Sequence, residues 1–386
     1  MTLSIRSAAH KARNTTVRRI LAGWILPSAV MASVAFPGIA QAAQPEVTCG
    51  ATLTVDTTLT KTLKCPSGDG IILGPDVVLN LGGHSLIGSG STGVGVTVSS
   101  TGGNVIRNGK ITNWGTGIDQ GYDSGNEWSV SDIALRGAPV HAFGIPAQLT
   151  RVTASNSPIL GELGGNLAIA DSKFTGSSIT VFGATATIKR SSLTTSPVGT
   201  SYFGYVSIDA SKLDGRGESY LGSVSETTIS ISNSSVKNFK SPISGYWGGA
   251  TLTNSIFTNM PQGVLANVSQ GLGSEGTSEI RKNVFIRSGV VLDPRTPMIV
   301  ENNTFVQNTT GAVFVDPVNS RAVGNLLVKN TGTGIKSDLP GLPVGGNTAL
   351  YNGGYGIDAP GAVDLGGNVA YGNKLGQCVG VVCAGK

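Results

Sequence analysis

Three carboxylates fall in one short segment of the sequence: Asp119, Asp123 and Glu127 lie between Ile118 and Trp128. A hard cation such as Ca²⁺ requires several oxygen ligands of this kind. Two of the carboxylates could alternatively act as a proton-donating and a proton-accepting pair. We expect Asp119, Asp123 and Glu127 to be metal ligands, with calcium as the cofactor.

Basic residues follow this segment at Arg136, His141 and Arg151. Elimination in a polymer of uronic acids needs a base for the proton at C5 and a positive group or cation on the carboxylate. We therefore expect Arg136, His141 and Arg151 to be catalytic residues. The alternative for each charged residue is a solvated position in a turn. With only His84 and His141 after the first 42 residues, a metal site built from histidines is excluded.

Aromatic residues concentrate in the same part of the chain, between residues 114 and 247. Flat rings with polar edges suit stacking on sugar rings, although packing beneath surface loops is the alternative. If the segments that carry them stack in register, the rings form a column along a groove for a polymer. The expected substrate-binding residues are Trp114, Tyr122, Trp128, Tyr202, Tyr205, Tyr220, Tyr246 and Trp247.

The element that must position these residues is a sequence repeat. One apolar core residue recurs in each unit from Phe257 to Ala370. Successive core residues are separated by 28, 20, 22, 22 and 21 positions, a period typical of repeat architectures. Apolar and polar residues alternate within each unit, which predicts strands. An Asn precedes each core position, and we expect its amide to bond the equivalent amides of neighbouring coils. The core positions are Phe257, Phe285, Phe305, Leu327, Ala349 and Ala370.

This pattern resembles the right-handed parallel β-helix repeat family, the fold of pectate-lyase-like proteins, over roughly residues 50–375. The run Asn80-Leu-Gly-Gly-His84 is similar to the first coil of secreted bacterial members. The resemblance implies an all-β chain, with residues 43–386 forming a single right-handed parallel β-helix of roughly 14 coils. It also implies a lyase scheme with an Arg or Lys base and Asp-bound Ca²⁺. The catalytic motifs of polygalacturonases and alginate epimerases are missing from the sequence.

The first 42 residues read as a secretory signal peptide, with a basic start, an apolar run from Ile20 to Ala40 and an Ala-Gln-Ala end. We therefore expect an extracellular or periplasmic protein. Five of the 27 Lys and Arg residues and none of the 22 Asp and Glu residues lie in this leader, so the rest is balanced at 22 of each. A balanced charge argues against nucleic acid and against a membrane partner after cleavage.

Four cysteines form two local pairs in the sequence, Cys49 with Cys65 and Cys378 with Cys383. A long solenoid separates its two ends by more than the reach of a disulfide, so we expect local bonds. Export to an oxidising compartment makes both plausible. They would close the two ends of the solenoid, and capped ends predict a monomer.

Two functions of different class follow from these observations. The first is a polysaccharide lyase acting on an acidic polysaccharide in a groove formed by residues 114–250. The second is a non-catalytic carbohydrate-binding or cell-surface protein. The arrangement of five residues distinguishes them. If Asp119, Asp123, Trp128, Arg136 and Arg151 point outward on one face, the enzyme is favoured, and if they scatter around the solenoid, these residues do not support it.

Overall fold

Each strand pairs with the strand about one repeat further along the chain, not with its immediate neighbour. Val140–Phe143, for example, pairs in parallel with Thr116–Gln120 before it and Ile159–Glu162 after it. The computed structural model describes residues 46–90, 92–99, 101–121, 125–223, 228–241, 243–246, 249–269, 277–289, 297–314 and 319–385. Over these residues the chain is all-β, and its parallel strands stack into a solenoid of about 14 turns, which confirms the predicted right-handed parallel β-helix.

Three stacks of strands, which we call sheets one, two and three, form the walls of the solenoid. Sheet one has three separately hydrogen-bonded parts. The first contains Ala51–Leu53, Ile71–Leu73, Val94–Val98, Thr116–Gln120, Val140–Phe143, Ile159–Glu162, Ile179–Phe182, Val198–Ser201 and Leu221–Ser223. The second contains Ile243–Tyr246 and Leu265–Ser269, and the third contains Ala312–Phe314, Ile335–Ser337, Tyr355–Asp358 and Gly376–Val379. Sheet two contains Thr57–Thr58, Val78–Asn80, Ala147–Thr150, Leu167–Ala170, Thr185–Lys189, Tyr205–Asp209, Thr228–Ser232, Ala250–Thr253, Ser278–Arg281, Met298–Glu301, Arg321–Val323, Pro343–Gly345 and Val363–Gly366. Sheet three contains Leu63–Lys64, Ser85–Ile87, Thr153–Ser155, Lys173–Thr175, Ser192–Thr194, Lys212–Asp214, Ser235–Lys237, Ile256–Thr258, Val284–Ile286, Thr304–Val306, Leu326–Val328, Thr348–Leu350, Asn368–Tyr371 and Cys383–Ala384. Two longer strands, Val105–Thr112 and Trp128–Arg136, run through sheets two and three.

The predicted core equivalences are confirmed by the register of sheet three. Phe257 pairs with Phe285, which pairs with Phe305, and the series continues through Leu327, Ala349 and Ala370. The three phenylalanine rings stack face to face inside the solenoid, with centroids 5.2 and 4.9 Å apart. A buried aromatic therefore packs against its own equivalent one coil away.

Polar side chains line the inside of the corner between sheets two and three. Each accepts a hydrogen bond of 2.9–3.1 Å from the backbone N–H of its equivalent one coil earlier. Serine fills this inner ladder in earlier coils and asparagine in later ones, and all its members are buried. Its members are Ser172, Ser191, Ser211, Ser234, Ser255, Asn283, Asn303, Asn325, Asn347 and Asn368.

The predicted asparagine ladder is thus confirmed from Asn283 onward, but the prediction is wrong for Asn254. Asn254 lies one residue before the inner position, is exposed at the outside of the corner and has a φ of +50°. Ser255 takes the inner position. Asparagine tolerates the left-handed region better than most residues, so it suits both the inner and the outer place at this corner.

Disulfides close both ends of the described solenoid, as predicted. Cys49 is bonded to Cys65 and Cys378 to Cys383, with Cα atoms 5.7 and 6.2 Å apart. At the C-terminal end, Asp364 is the strand partner of the buried Val344, one coil earlier. Its carboxylate accepts hydrogen bonds from backbone N–H groups, which lower its pKa. All four residues of its strand, Val363–Gly366, are exposed, so the apolar core of sheet two ends at this coil.

Candidate functional site

Three titratable side chains form a hydrogen-bonded row on the outer face of sheet one. His141 Nδ1 lies 3.1 Å from Asp119 Oδ1, and His141 Nε2 lies 2.8 Å from Glu162 Oε2. Each side chain is about one third exposed, so the row is open to solvent on one side. We call Asp119, His141 and Glu162 the acid–imidazole row.

Strand alternation and stacking in register create this row. Ile118 and Val140 are buried, so the next residues, Asp119 and His141, point outward. Asp119 and His141 are direct partners in adjacent strands. Glu162 lies in the following strand but pairs with Phe143, so its longer side chain reaches back diagonally to the imidazole.

Aromatic side chains border the row on the side of Glu162. Phe143, Glu162 and Phe182 are successive backbone partners across three strands, and the Glu162 carboxylate reaches back to His141. The Phe182 ring stacks on Tyr202 with centroids 4.9 Å apart, and Tyr202 meets Phe203 edge to face. A continuous aromatic surface therefore begins at Glu162.

Tyr202 and Phe203 are held in an unusual backbone conformation at the turn between sheets one and two. Both have a φ of +57°, and their side chains are 58% and 73% exposed. Other turns of the solenoid have the same left-handed conformation, for example at Leu163, and here it presents two aromatic rings to solvent. Nearby, the Tyr220 ring lies close to Gly199, where an added Cβ would be 3.5 Å from Tyr220 Cε2.

The Lys and Arg residues between positions 114 and 211 lie on other faces of the solenoid. The sequence from residue 114 to residue 211 contains five Lys and Arg residues, and none lies in sheet one or in its flanking turns toward sheet two. They lie in sheet three, at the end of a sheet two strand or at the corner between those sheets: Arg136, Arg151, Lys173, Lys189 and Arg190. The row therefore combines two carboxylates with one imidazole and no neighbouring guanidinium or ammonium group from this segment.

Arg136 and Arg151, two of the predicted catalytic residues, lie away from the third, His141. The structure brings predicted His141 together with predicted Asp119, but Arg136 ends the strand Trp128–Arg136 in sheet three. Arg151 lies at the corner between sheets two and three, where its Nε donates to Asp132 at 2.6 Å. A single outward face that joins Asp119, Arg136 and Arg151 is therefore not formed.

The prediction that Trp114 and Trp128 stack on a substrate is wrong, because both side chains are 1% exposed in the core. Trp114 Nε1 donates to Leu86 O at 3.3 Å. Trp128 Nε1 donates to the buried Gln120 at 3.1 Å. Trp128 therefore anchors the end of the strand that carries Asp119 instead of contacting a ligand.

The other predicted aromatics have mixed positions. Tyr202 and Tyr220 flank sheet one, whereas Tyr205 begins a strand of sheet two and is 36% exposed. Tyr246 ends a sheet one strand, and its side chain lies outside the description. Tyr122 and Trp247 also lie outside the described residues.

The metal prediction gains no support from the part of the chain that the structure describes. Those residues contain no group of three or more His, Cys, Asp or Glu side chains able to hold a metal ion. Asp119 contacts His141, Glu127 is exposed, and Asp123 lies outside the described residues. Calcium binding through these residues stays a prediction.

Glu162 and Phe182 were missed by the sequence analysis. The available signal was the repeat itself, because 22 residues separate Asp119 from His141 and 21 separate His141 from Glu162. The first distance is one coil, because Asp119 and His141 are strand partners, whereas the second is two residues longer than the coil of 19 residues that pairs His141 with Leu160. Residues one coil apart stack as neighbours, so the three side chains could have been grouped by period.

Residues 216–384 match the family model described as periplasmic copper-binding protein (NosD). The acid–imidazole row precedes the matched part. No curated protein sequence matches the chain.

Similar solved structures include the catalytic unit of a thermostable GH87 alpha-1,3-glucanase from Streptomyces thermodiastaticus strain HF3-3, with 14% identity and a TM-score of 0.40, covering 86% of this chain. The chain spans 65% of that catalytic unit. A mutant of the periplasmic alginate epimerase AlgG is also similar, with 9% identity, a TM-score of 0.24 and coverage of 83% of this chain and 78% of that one.

Among the described residues, no helix is long and apolar enough to cross a membrane. The parallel pairing, the three sheets and the coil-to-coil side-chain ladders are the defining features of one repeat architecture. The chain is a right-handed parallel β-helix repeat protein.

Proposed function

We propose that this protein is an exported glycan-active enzyme that hydrolyses a neutral polysaccharide on the outer face of sheet one. The observation that carries the proposal is the acid–imidazole row beside an exposed aromatic surface. Sugar rings stack on aromatic faces, and glycoside hydrolysis needs two carboxylates. From the coil of Asp119 to that of Tyr220 the face extends about 24 Å at the strand spacing of about 4.8 Å, which suits a polymer.

The spacing of the two carboxylates supports an inverting reaction. An imidazole bonded at both nitrogens holds the two carboxylate oxygens roughly 7–8 Å apart, within the range of about 6.5–9.5 Å used by inverting glycosidases. In this mechanism Glu162, beside the aromatic surface, donates a proton to the glycosidic oxygen as the bond to C1 breaks. Asp119 takes a proton from the water that attacks C1 on the opposite side.

His141 would then restore the resting state. After one turnover, Asp119 carries the proton that Glu162 has lost. Because the imidazole contacts both carboxylates, it can accept a proton at Nδ1 and release one at Nε2. A relay of this kind needs no other titratable group.

The charge distribution favours a neutral substrate over an acidic one. A uronate bound beside Asp119 and Glu162 would face two carboxylates without an ammonium or guanidinium group from residues 114–211. Elimination also needs a positive partner for the substrate carboxylate. A lyase acting on an acidic polysaccharide stays a prediction, and no Lys or Arg of residues 114–211 lies on this face to pair with the substrate carboxylate.

The test is a reducing-sugar assay of the purified protein on a panel of neutral polysaccharides, followed by NMR of the first anomer released. We expect hydrolysis with inverted configuration. Glu162→Gln and Asp119→Asn should each lower kcat by at least about 100-fold, the lower range for general acid–base catalysis. A retained configuration would contradict the assigned roles.

Asp338→Asn is the matched control, because Asp338 is an exposed carboxylate paired with Lys336 in a distant coil. It should leave kcat unchanged. His141→Gln should lower kcat while retaining glycan binding, since it removes the relay and leaves the aromatic surface. If Asp338→Asn lowers activity as much as Glu162→Gln, the row is not the active site.

The exposed aromatic pair favours a second candidate, a non-catalytic glycan-binding protein. Tyr202 and Phe203 could hold a sugar without any chemistry at Glu162. In that case binding would be lost in Tyr202→Ser while no product forms with the wild-type protein. Export to the periplasm or beyond is part of both proposals and rests on the leader sequence.

A further inference from the structure

Sheet three carries a charge pattern opposite to that of sheet one. Its outer face over seven coils consists of two columns of side chains in register. We call these two columns the cationic strip. The first column is Lys110, Ala134, Thr153, Lys173, Ser192, Lys212 and Ser235, and the second is Thr112, Arg136, Ser155, Thr175, Thr194, Asp214 and Lys237.

Cations and hydroxyl groups dominate the strip. Five of its residues are Lys or Arg, and Asp214 is its one carboxylate. Asp214 is already satisfied, because it pairs with Lys237 at 3.3 Å and accepts from Asn238 at 3.0 Å. Lys110, Arg136, Lys173 and Lys212 form no ion pair with any described residue.

Two depressions open on the strip. One, of about 280 Å³, is lined by Ser192, Thr194, Lys212, Asp214 and Lys237 among others. The other, of about 370 Å³, includes Lys110 and Thr153 of the strip, together with Arg151 and the Asp132 carboxylate that is paired with it. Both therefore place ammonium or guanidinium groups beside hydroxyl or amide groups, which is suitable chemistry for a carboxylate or sulfate.

We infer that the cationic strip binds a linear polysaccharide that carries carboxylate or sulfate groups. Lys173 and Lys212 are two coils apart in one column, about 10 Å at the strand spacing, and Ser192 lies between them. The whole strip extends about 29 Å on the same basis. A regularly charged polymer lying along the solenoid axis therefore meets cations at intervals with hydroxyl donors between them.

Other polyanions fit this face less well. Single-stranded nucleic acid is held by aromatic side chains on which bases stack, and the strip contains no aromatic residue. A membrane surface is bound by apolar side chains inserted between lipids, and Ala134 is the only apolar residue of the strip. A flat surface of hydroxyl groups and cations therefore favours an acidic glycan.

The test is affinity electrophoresis and calorimetry of the full chain with three probes: polygalacturonate, dextran sulfate and uncharged dextran. We expect at least one polyanion to bind and its binding to weaken as salt is raised, because exposed ion pairs are screened. Binding of one polyanion but not the other identifies the carboxylate or the sulfate as the preferred group. Failure of both to bind at low salt overturns the inference.

The double variant Lys173→Ser/Lys212→Ser should weaken polyanion binding roughly two- to thirtyfold, the effect of two exposed ionic contacts. Serine already occupies neighbouring positions of that column, so the fold should be retained, which circular dichroism checks. Lys336→Ser/Lys374→Ser removes the same charge elsewhere and should change the affinity less than twofold. An equal loss in both double variants would mean attraction by net charge alone and would overturn the inference.

Asp119→Asn/Glu162→Gln should leave polyanion binding unchanged, because those residues lie on sheet one. This arm separates the strip from the proposed hydrolysis site. If the sheet one variant alters polyanion affinity while Lys173→Ser/Lys212→Ser does not, the acidic glycan binds at the acid–imidazole row and the strip has no such role.

Discussion

Replacing Asn303 by alanine tests whether the inner ladder stabilises the solenoid. Asn303 is 1% exposed, and its Oδ1 accepts from the backbone N–H and the Nδ2 of Asn283 at 2.9 and 3.1 Å. Its Nδ2 donates to Ile280 O at 2.7 Å and to Asn325 Oδ1 at 3.1 Å. Alanine removes all four hydrogen bonds and admits no water in their place.

The magnitude follows from the groups left unpaired. The Asn283 backbone N–H loses its acceptor and Ile280 O loses a donor, and each unsatisfied buried group costs about 1–3 kcal/mol. We expect Asn303→Ala to lower the free energy of unfolding by about 3–5 kcal/mol on this basis. Guanidinium denaturation followed by circular dichroism measures this difference.

Two variants make the test specific. Asn303→Ser should recover much of the loss, because Ser255 occupies the same inner position and still accepts the N–H of Ser234 at 3.1 Å. Asn302→Gly removes the adjacent exposed side chain, at a φ of +57° that glycine adopts freely, and should change stability by less than about 1 kcal/mol. If Asn303→Ala is no more destabilising than Asn302→Gly, the ladder is not a source of stability.

The ion pairs at the outer corner and the phenylalanine stack give two further predictions. Hydrogen bonds from Arg151 and Arg190 lower the pKa of Asp132 and of Asp171, so these pairs stabilise the folded state above the ordinary carboxyl pKa of about 4, and less as the pH falls through the folded pKa. Arg151→Gln should therefore lower the denaturation midpoint at pH 7 but not at pH 2, and an equal shift at both values would contradict this electrostatic account. Phe285→Ala should lower the free energy of unfolding by about 3–5 kcal/mol, whereas Phe285→Leu should cost less than about 1.5 kcal/mol. Urea denaturation checks both, and similar losses in the two variants would contradict a cost set by the lost core volume.

The repeat and its core could be predicted because each coil buries the same positions. Phe257, Phe285 and Phe305 share one spacing and one environment, so their side chains identify the register directly. The inner and outer places at the corner could not be distinguished from residue type. Asparagine suits an outer left-handed position as well as an inner ladder position, and Asn254 and Asn303 are one example of each.

The burial of Trp114 and Trp128 was not predicted, because the chemistry of an aromatic ring does not show whether there is room for it inside the solenoid. Glycines in neighbouring coils make that space: a Cβ added at Gly88 would lie 2.5 Å from the Trp114 ring, and one at Gly95 3.1 Å from it. Glycine within a strand often marks a close approach by another group. In a solenoid, glycines one coil away from a tryptophan therefore indicate that the ring points inward.

The acid–imidazole row shows how this fold assembles a site from residues that are distant in sequence. Asp119 directly follows the buried Ile118, and His141 directly follows the buried Val140, so both have the same place in successive coils. Glu162 follows Ile159 by three positions, which strand alternation also places outward. Asp119 and His141 could therefore be predicted separately, but their grouping with Glu162 depends on the stacking of coils. In a β-helix, titratable residues one period apart and on the outward side of the alternation are the set to test first, since stacking brings them within hydrogen-bonding distance.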